Sequence, residues 1–171
     1  GLSSEGLIYM GSEFDRNETV KRLRDMPILN FRSSFAYSNI HYNALGLIIE
    51  KVSGLSWEKF IQIKVLDALD MHSSTSDTED PKTFNTVTPH RFLDYENGQI
   101  KPVTSVFPQS NAPAGGIRST SSDISKYIKL LLNNGIINSD TIIQPKTIKE
   151  FWEPHNRSGE YWTREGSFSA Y

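Results

Sequence analysis

The sequence predicts a mainly α fold with one small β-hairpin. Several segments begin with capping residues and then repeat apolar residues at helical spacing, and a single Asn-Gly turn separates two short segments with β character. The 171 residues are 37% hydrophobic and 22% charged, which is typical of a globular domain. We therefore interpret residues 1–171 as a single helical lobe.

The first two helices are predicted from their ends. Asp15, followed three residues later by Glu18, forms a capping-box start, and Pro27 ends a short helix. The second helix begins near Asn39, and Gly54 supplies a left-handed C-cap. Apolar residues recur at helical spacing between these two ends: Ile40, Ala44, Leu47, Ile48 and Val52.

A third helix is predicted after Ser56, which can cap it. Trp57, Phe60, Ile61 and residues 63–66 supply its apolar surface. The polar stretch 72–81 that follows is predicted to be a loop.

The only convincing β signal lies between residues 88 and 106. Residues 91–95 and 100–103 can pair across Asn97-Gly98, a dipeptide typical of tight hairpin turns. Residues 108–116 are rich in Pro, Asn, Ser and Gly, which predicts an irregular ordered loop. Gly115-Gly116 would permit a close backbone approach or a positive φ there.

Two more helices are predicted after this loop. Thr120 and Asp123 form a second capping box for a helix that Gly135 closes, and Pro145 opens a last short helix. The apolar face of the longer helix is predicted to be Ile124, Tyr127, Ile128, Leu131 and Leu132. Residues 153–171 lack helical periodicity, and residues 167–171 could start a strand without a visible partner. Such a set of helices with one hairpin is typical of one lobe of a larger fold.

The composition argues against nucleic acid as a partner, against a membrane span and against cysteine chemistry. The net charge is −2, with no basic block, so nucleic acid is not expected to bind. The apolar stretches are too short to span a bilayer, so no membrane span is expected. The chain has no cysteine, which excludes disulfides, thiolate zinc sites and a cysteine nucleophile.

No sequence motif points to a metal or a cofactor. The Gly-x-Ser-x-Gly elbow, the His-Glu-x-x-His zinc helix and the phosphate-binding glycine loop are absent. His41, His72, His90 and His155 lack the spacing of metal ligands, and we expect them at the surface or at helix ends. We predict no metal site and no cofactor.

Tyr37 and Asn39 are the candidate site residues. They lie just before the second helix, where a hydroxyl and an amide can both face a cleft. A tyrosine titrates near pH 10, so it serves as a general base only where cations lower its pKa. Asparagine offers a donor and an acceptor for an amide substrate.

The local pattern leaves two alternatives open. Tyr95-Glu96-Asn97 matches Tyr-x-Asn equally well, although it fits the edge of a hairpin turn. Tyr37 could also be packed against its neighbours while Asn39 caps the helix. Residue spacing alone does not decide between these hypotheses.

Several short sequence motifs follow one another along the chain. They are Phe35-Ala36-Tyr37-Ser38-Asn39, Tyr42, Leu45-Gly46, Ile49-Glu50-Lys51-Val52-Ser53-Gly54, Ser56-Trp57-Glu58, Leu69-Asp70-Met71 and Ala114-Gly115-Gly116-Ile117-Arg118-Ser119-Thr120. Their order and spacing resemble class C β-lactamases and penicillin-binding-protein-like serine hydrolases over nearly the whole chain. Phe31-Arg32-Ser33-Ser34, where many relatives have Pro-Gly, resembles the esterase-like branch. Asp70 replaces the more usual glycine of Leu-Gly-Met.

This resemblance implies a fold and an activity. The chain would be the helical lobe of an α+β, transpeptidase-like fold that cleaves a β-lactam, a D-amino-acid peptide or a small ester through an acyl-enzyme. Tyr37 would shuttle the proton and Asn39 would hold the substrate amide. Gly1-Leu2 resembles the end of the family's Ser-Gly-Leu segment, and the nucleophilic serine of the Ser-x-x-Lys motif would lie upstream of that segment. The strand with the Lys-Thr-Gly or His-x-Gly motif would lie downstream of Tyr171. The chain alone is therefore expected to be inactive.

One segment of the chain matches the Ser-x-x-Lys pattern of the nucleophile motif. Ser56-Trp57-Glu58-Lys59 satisfies Ser-x-x-Lys, but the resemblance makes this stretch a structural helix, with Ser56 as its N-cap. Lys146-Thr147 and Lys82-Thr83 lack the glycine of the strand motif. We therefore expect neither catalytic motif within the chain.

The alternative from another class is a non-catalytic binding lobe of a pseudoenzyme, since function depends on the site and not on the fold. The resemblance implies an exported or membrane-anchored parent. A lobe with an exposed apolar face would associate with the missing α/β lobe or form a homodimer.

Overall fold

The structure, a computed structural model, describes residues 13–28, 30, 37–78, 86–94, 96–103 and 107–153, and the backbone of residues 156–157 and 169–170. Gly1-Leu2, residues 31–36, Tyr95 and His155 lie outside the described residues. Within these ranges the fold is mainly helical with small antiparallel strand pairs, which confirms the predicted fold class. The described helices are α1 (Arg16–Lys21), α2 (Asn39–Ser53), α3 (Trp57–Ile61), α4 (Ala112–Gly115), α5 (Ser121–Leu132) and α6 (Pro145–Trp152). The described strands are β1 (His90–Asp94), β2 (Gln99–Pro102), β3 (Ile136–Ile137), β4 (Asp140–Thr141), β5 (Asn156–Arg157) and β6 (Ser169–Ala170).

The predicted caps at the starts of α1, α3 and α5 and at the end of α2 are confirmed, whereas α5 ends at Leu132, three residues before Gly135. At the starts of α1, α3 and α5, a side-chain oxygen accepts a hydrogen bond from the backbone N–H three residues later, and the acceptors are Asp15 (2.7 Å), Ser56 (3.2 Å) and Thr120 (3.2 Å). Gly54 ends α2 with φ of +71°, in the left-handed region that favours glycine. α1 continues as a 3-10 turn (Arg22–Asp25), and α3 continues as a π-helical segment (Gln62–Asp67).

The apolar core is a small cluster between the end of the π-helical segment and α5. Leu66, Leu69, Met71 and Leu130 are each at most 4% exposed. Half-buried side chains of α3, α5 and residues 137–143 pack around them. Each fully buried side chain of this kind contributes about 1.5–3 kcal/mol, so other contacts must fix the helices that lie outside this cluster.

The hairpin is confirmed, but each strand lies one residue earlier than predicted. β1 and β2 pair antiparallel, and Asp94 lies opposite Gln99, so residues 95–98 connect the strands. Gly98 has φ of +66°, as the Asn-Gly signal requires. The pairing register also shifts by one residue between Phe92 and Asp94.

The loop predicted over residues 108–116 is wrong in part. A 3-10 turn (Gln109–Asn111) leads directly into α4, because Pro113 near the helix start is compatible with helical φ. Gly116 has a helical φ of −81°, so a positive φ is not the reason for this glycine. A Cβ at Gly116 would lie 2.6 Å from the Cα of Ala112, so the close approach is the reason.

The apolar face predicted for α5 is also wrong in part. Ile124, Ile128 and Leu132 are 42–74% exposed, whereas Asp123 and Leu130 are buried. The carboxylate of Asp123 is hydrogen-bonded by Ser73 and Ser74, which turns the face of α5 that carries Asp123 and Leu130 inward.

The loop predicted over residues 72–81 is confirmed for residues 72–78, which form an irregular segment; Ser74, Thr75 and Ser76 are buried there, and Thr75 forms an antiparallel bridge with Arg118. One further expectation needs correction. β6 was expected to lack a partner, yet it pairs antiparallel with β5. Pairs of two residues are too short to leave a periodic signal in the sequence. Among the described residues, no helix is long and apolar enough to cross a membrane.

Candidate active site

The predicted catalytic pair lies at the start of α2. Tyr37 immediately precedes the helix and is 55% exposed, and Asn39 is the first helical residue and is half-buried. Ser38 occupies the N-cap position, is buried, and makes no side-chain capping hydrogen bond. The alternative of a packed Tyr37 and a capping Asn39 is therefore wrong. A phenol and an amide lie together at the accessible end of a helix of 15 residues.

Asn97 of the competing Tyr-x-Asn match belongs to the hairpin turn. The side-chain amide of Asn97 donates to Asp94 Oδ2 at 2.5 Å, and the backbone N–H of Glu96 donates to Asp94 Oδ1 at 2.9 Å. The hydrogen bonds from Asn97 are the largest cause that lowers the pKa of Asp94 below its ordinary value. The amide of Asn97 is thus committed to the turn.

Arg16 joins α1 to α2 and α3 through a buried ion-pair network. Its guanidinium donates to Glu50 Oε1 at 2.6 Å and to Glu58 Oε1 at 2.5 Å. It also donates to the carbonyl oxygen of Gln109 at 3.1 Å and lies 5.9 Å from the ring centroid of Trp57. Planar guanidinium donors suit several fixed acceptors at once, so Arg16 fixes the relative positions of three helices and the segment before α4.

Glu58 is kept ionised by this network. Burial raises the pKa of Glu58, but hydrogen bonds from Arg16, from its own backbone N–H and from Gln109, with the charge of Arg16, together lower it by more, so the pKa lies below its ordinary value. The Gln109 amide donates to Glu58 Oε1 at 2.7 Å, and its oxygen accepts from the backbone N–H of Thr78 at 2.9 Å. The network therefore extends from α1 to residue 78.

α2 and α4 approach each other at a glycine. A Cβ on Gly46 would lie 2.5 Å from Cγ of Pro113, inside any normal contact distance. Cδ of Arg16 would lie 3.7 Å from the same Cβ. The middle of α2 is thus packed directly on Pro113 in the Ala-Pro-Ala-Gly-Gly segment that follows Asn111.

A second polar cluster surrounds Asp123 at the start of α5. Its Oδ2 accepts from the backbone N–H of Ser73 and from the hydroxyl of Ser74, both at 2.8 Å, and its Oδ1 lies 3.2 Å from Nζ of Lys126. Burial raises the pKa of Asp123, but these hydrogen bonds and the ammonium group lower it by more, so the pKa lies below its ordinary value. The cluster ties residues 73–76 to the segment that leads from α4 into α5.

The structure also contains an open cleft of about 510 Å³ beside α1. Its lining includes Arg16, Glu50 and Glu58 but neither Tyr37 nor Asn39. Because Arg16 is already paired with Glu50 and Glu58, and Asp15 caps α1, we assign no substrate to this cleft and place the candidate site at the start of α2.

Ser56 and the histidines occupy positions consistent with structural or surface roles. The Ser56 hydroxyl oxygen accepts the backbone N–H of Lys59, as an N-cap does. His72 and His90 are exposed, and His41 is half-buried. In the part of the chain that the structure describes, no group of three His, Asp or Glu residues could hold a metal ion.

The sequence does not indicate the structural roles of Arg16 and Gln109, and it indicates Asp123 only as part of the capping box with Thr120. Arg16 contacts residues 34 and 42 positions away along the chain, which no local pattern can show. Beyond its capping-box position, Asp123 gives no signal in the sequence, because its partners Ser73 and Ser74 lie about 50 positions earlier in the chain.

Comparison with known proteins gives consistent matches. The profile of the Beta-lactamase family matches residues 4–166. The mitochondrial serine beta-lactamase-like protein LACTB of Homo sapiens is 25% identical over 178 residues, which cover 96% of this chain and 32% of that protein.

Solved structures resemble the fold as well. The octameric penicillin-binding protein homologue from Pyrococcus abyssi is 29% identical with a TM-score of 0.72, over 89% of this chain and 33% of that one. A class C beta-lactamase is 23% identical with a TM-score of 0.61, over 78% of this chain and 36% of that one, which shows the fold alone. The chain spans about a third of the length of these relatives.

Proposed function

The chain belongs to the Beta-lactamase family, whose relatives here are penicillin-binding-protein-like and class C β-lactamase-like serine hydrolases, and from this membership we propose that it is the helical lobe of a serine hydrolase. The parent protein would cleave an amide or an ester bond through an acyl-enzyme. The observation that carries the proposal is the exposed Tyr37 beside Asn39 at the start of α2.

The proposed roles follow from the chemistry of the two side chains. The oxygen of Tyr37 accepts the proton of the nucleophilic serine as that serine attacks the carbonyl carbon, and then returns the proton to the leaving nitrogen or oxygen. Asn39 donates to and accepts from the substrate amide. The serine, and the cations that favour a deprotonated tyrosine, would come from parts of the protein outside residues 1–171.

An exposed apolar stripe on α2 supports the interpretation as one lobe of a larger domain. Leu45, Ile48 and Val52, which we call the α2 stripe, lie on one face of the helix and are 53–83% exposed. Contiguous exposed apolar surface is typical of a covered interface. We propose that the remaining lobe of the parent protein covers the α2 stripe, and that the isolated chain would dimerise through it.

The test is steady-state kinetics of the full-length protein with a penicillin, a D-Ala-D-Ala peptide and a small aryl ester. We expect Tyr37→Phe to lower kcat by about 10²–10⁴-fold, the usual contribution of a general base, because the phenol oxygen is removed and the ring is kept. Tyr42→Phe is the matched control, since Tyr42 is 52% exposed on the same helix. It should change kcat less than twofold.

Two outcomes would contradict the proposal. If Tyr37→Phe left kcat unchanged on a substrate that the wild type cleaves, Tyr37 would not be the base. If the wild type cleaved none of the substrates yet bound one of them, the alternative of a binding lobe in a pseudoenzyme would be favoured.

We propose export or membrane anchoring of the parent protein, as the penicillin-binding-protein resemblance implies. The human relative is described as mitochondrial, so compartment differs within the family. Cell fractionation of the native protein would decide.

A further inference from the structure

Two asparagine side chains form a buried pair between α2 and the segment before α4. Asn43 is fully buried and Asn111 is 2% exposed. Nδ2 of Asn43 donates to Oδ1 of Asn111 at 2.5 Å. The other two amide atoms, Oδ1 of Asn43 and Nδ2 of Asn111, have no hydrogen-bond partner among the described residues.

This pair is a poor way to stabilise a helix contact. A buried amide atom without a partner loses its hydrogen bonds to water and gains no hydrogen bond in the protein. Two apolar side chains of similar volume would fill the space without this cost in free energy. A hydrogen bond does, however, fix the distance and the rotation between two elements more sharply than apolar packing does. The pair is thus better suited to setting geometry than to adding stability.

The geometry that the pair sets includes the candidate site. Asn43 lies four residues after Asn39, and therefore one turn along the same face of α2. The hydroxyl of Ser38 does not cap the helix, so local capping does not hold its first turn. Ile40 in this turn and Asn43, directly after it, are both fully buried, so tertiary packing surrounds this end of the helix.

We infer that Asn43 and Asn111 are positioning residues for Tyr37 and Asn39. Their hydrogen bond holds the first turn of α2 at a fixed rotation against the Asn-Ala-Pro-Ala-Gly-Gly segment. Asn39 is thereby presented to the substrate amide, and Tyr37, two residues earlier, is kept in place. The inference rests on the proposed function of Tyr37 and Asn39, and it predicts that activity and stability respond differently when the pair is replaced.

The test is the double variant Asn43→Ala with Asn111→Leu in the full-length protein, since one smaller and one larger apolar side chain together keep the volume close to that of the two amides. We expect the thermal midpoint to stay within a few degrees of the wild type or to rise, while kcat/KM falls at least tenfold. Ile148→Val is the control, because Ile148 is fully buried in α6 and the change perturbs packing without touching α2. It should keep kcat/KM within twofold even if the midpoint falls.

A second measurement does not depend on activity. The amides of residues 43–45 bond to carbonyls of the first turn of α2, so their hydrogen exchange reports whether that turn is held. In the double variant we expect exchange there to be at least tenfold faster, with no change at the end of α2 near Gly54. Unchanged exchange, or a kcat/KM within twofold of wild type, overturns the inference. If the wild type is inactive on every substrate, the proposed function fails and the exchange result alone decides whether the pair positions the turn.

If the double variant does not fold, two single variants replace it. Asn111→Asp keeps an oxygen that accepts from Asn43, and Asn111→Leu removes it. A kcat/KM at least fivefold higher for Asn111→Asp, measured on the folded fraction, supports the inference, and equal values overturn it.

Discussion

Replacement of Arg16 by Met is expected to lower the free energy of unfolding by a large fraction of the total. Methionine keeps much of the aliphatic volume beside Gly46 and Trp57 but removes both hydrogen bonds to carboxylates. Leaving a buried ion pair without one partner costs about 3–5 kcal/mol. Because the side chains of Glu50 and Glu58 keep 28% and 22% exposure, water recovers part of this loss. We expect a loss of about 2–4 kcal/mol.

Urea denaturation of the full-length protein at pH 7 and at pH 3.5 would measure the effect. The pKa of Glu58 is lowered in the folded state, so its ion pair contributes stability that is fully present above the unfolded value of about 4.3 and is lost as pH falls through the folded pKa. The difference between wild type and Arg16→Met should therefore shrink at pH 3.5. A difference under 0.5 kcal/mol at pH 7, or one that grows on acidification, would refute this reasoning.

A matched control separates lost pairing from lost packing. In the triple variant Arg16→Met, Glu50→Gln and Glu58→Gln, no carboxylate is left without its cation. We expect at least half of the lost stability to return. If the triple variant is no more stable than Arg16→Met alone, the loss comes from packing.

Three further perturbations test other contacts. Gly46→Ala should destabilise by about 1–2 kcal/mol despite the higher helix propensity of alanine, because of the contact with Pro113; with Pro113→Ala in addition, the same change should become neutral or stabilising in a thermal melt. Asp123→Asn should lose about 2–3 kcal/mol at pH 7, and the loss should begin to shrink only below the unfolded value of about 3.9 and vanish only below the lowered folded pKa of Asp123; a loss that stays constant as pH falls through the acid range would count against it. Leu45→Lys with Ile48→Lys should make the isolated chain monomeric in sedimentation experiments, while the same pair should destabilise the full-length protein; a wild-type chain that is already monomeric would argue against a covered α2 stripe.

Local features were predictable from the sequence because their signals are local. The caps at Asp15, Ser56 and Thr120 each need a side chain and a backbone N–H three residues away, and the hairpin needs only the chain around Asn97-Gly98. The inward face of α5 could not be read this way. It is set by hydrogen bonds from residues 73 and 74 to Asp123, about 50 positions along the chain.

In the candidate site, too, local features were predictable from the sequence and tertiary contacts were not. The placement of Tyr37 and Asn39 at the start of α2 follows from the sequence, and their proposed roles come from the family resemblance. Neither the sequence pattern nor the resemblance indicates which residues hold α2 in place, because Arg16 and Asn111 contact α2 only in the folded chain. Helical periodicity treats Asn43 as a polar interruption, whereas the structure buries it completely.

The central claim is that Tyr37 belongs to a serine acyl-transfer site completed by the rest of the protein. Its most direct test is the intact mass of the full-length protein over time with a penicillin and with a serine-directed phosphonate, for wild type, Tyr37→Phe and Tyr42→Phe. We predict one covalent adduct on a serine outside residues 1–171, formed at least 100-fold more slowly by Tyr37→Phe than by Tyr42→Phe. An adduct on Ser56, or equal rates for the two variants, would contradict the account.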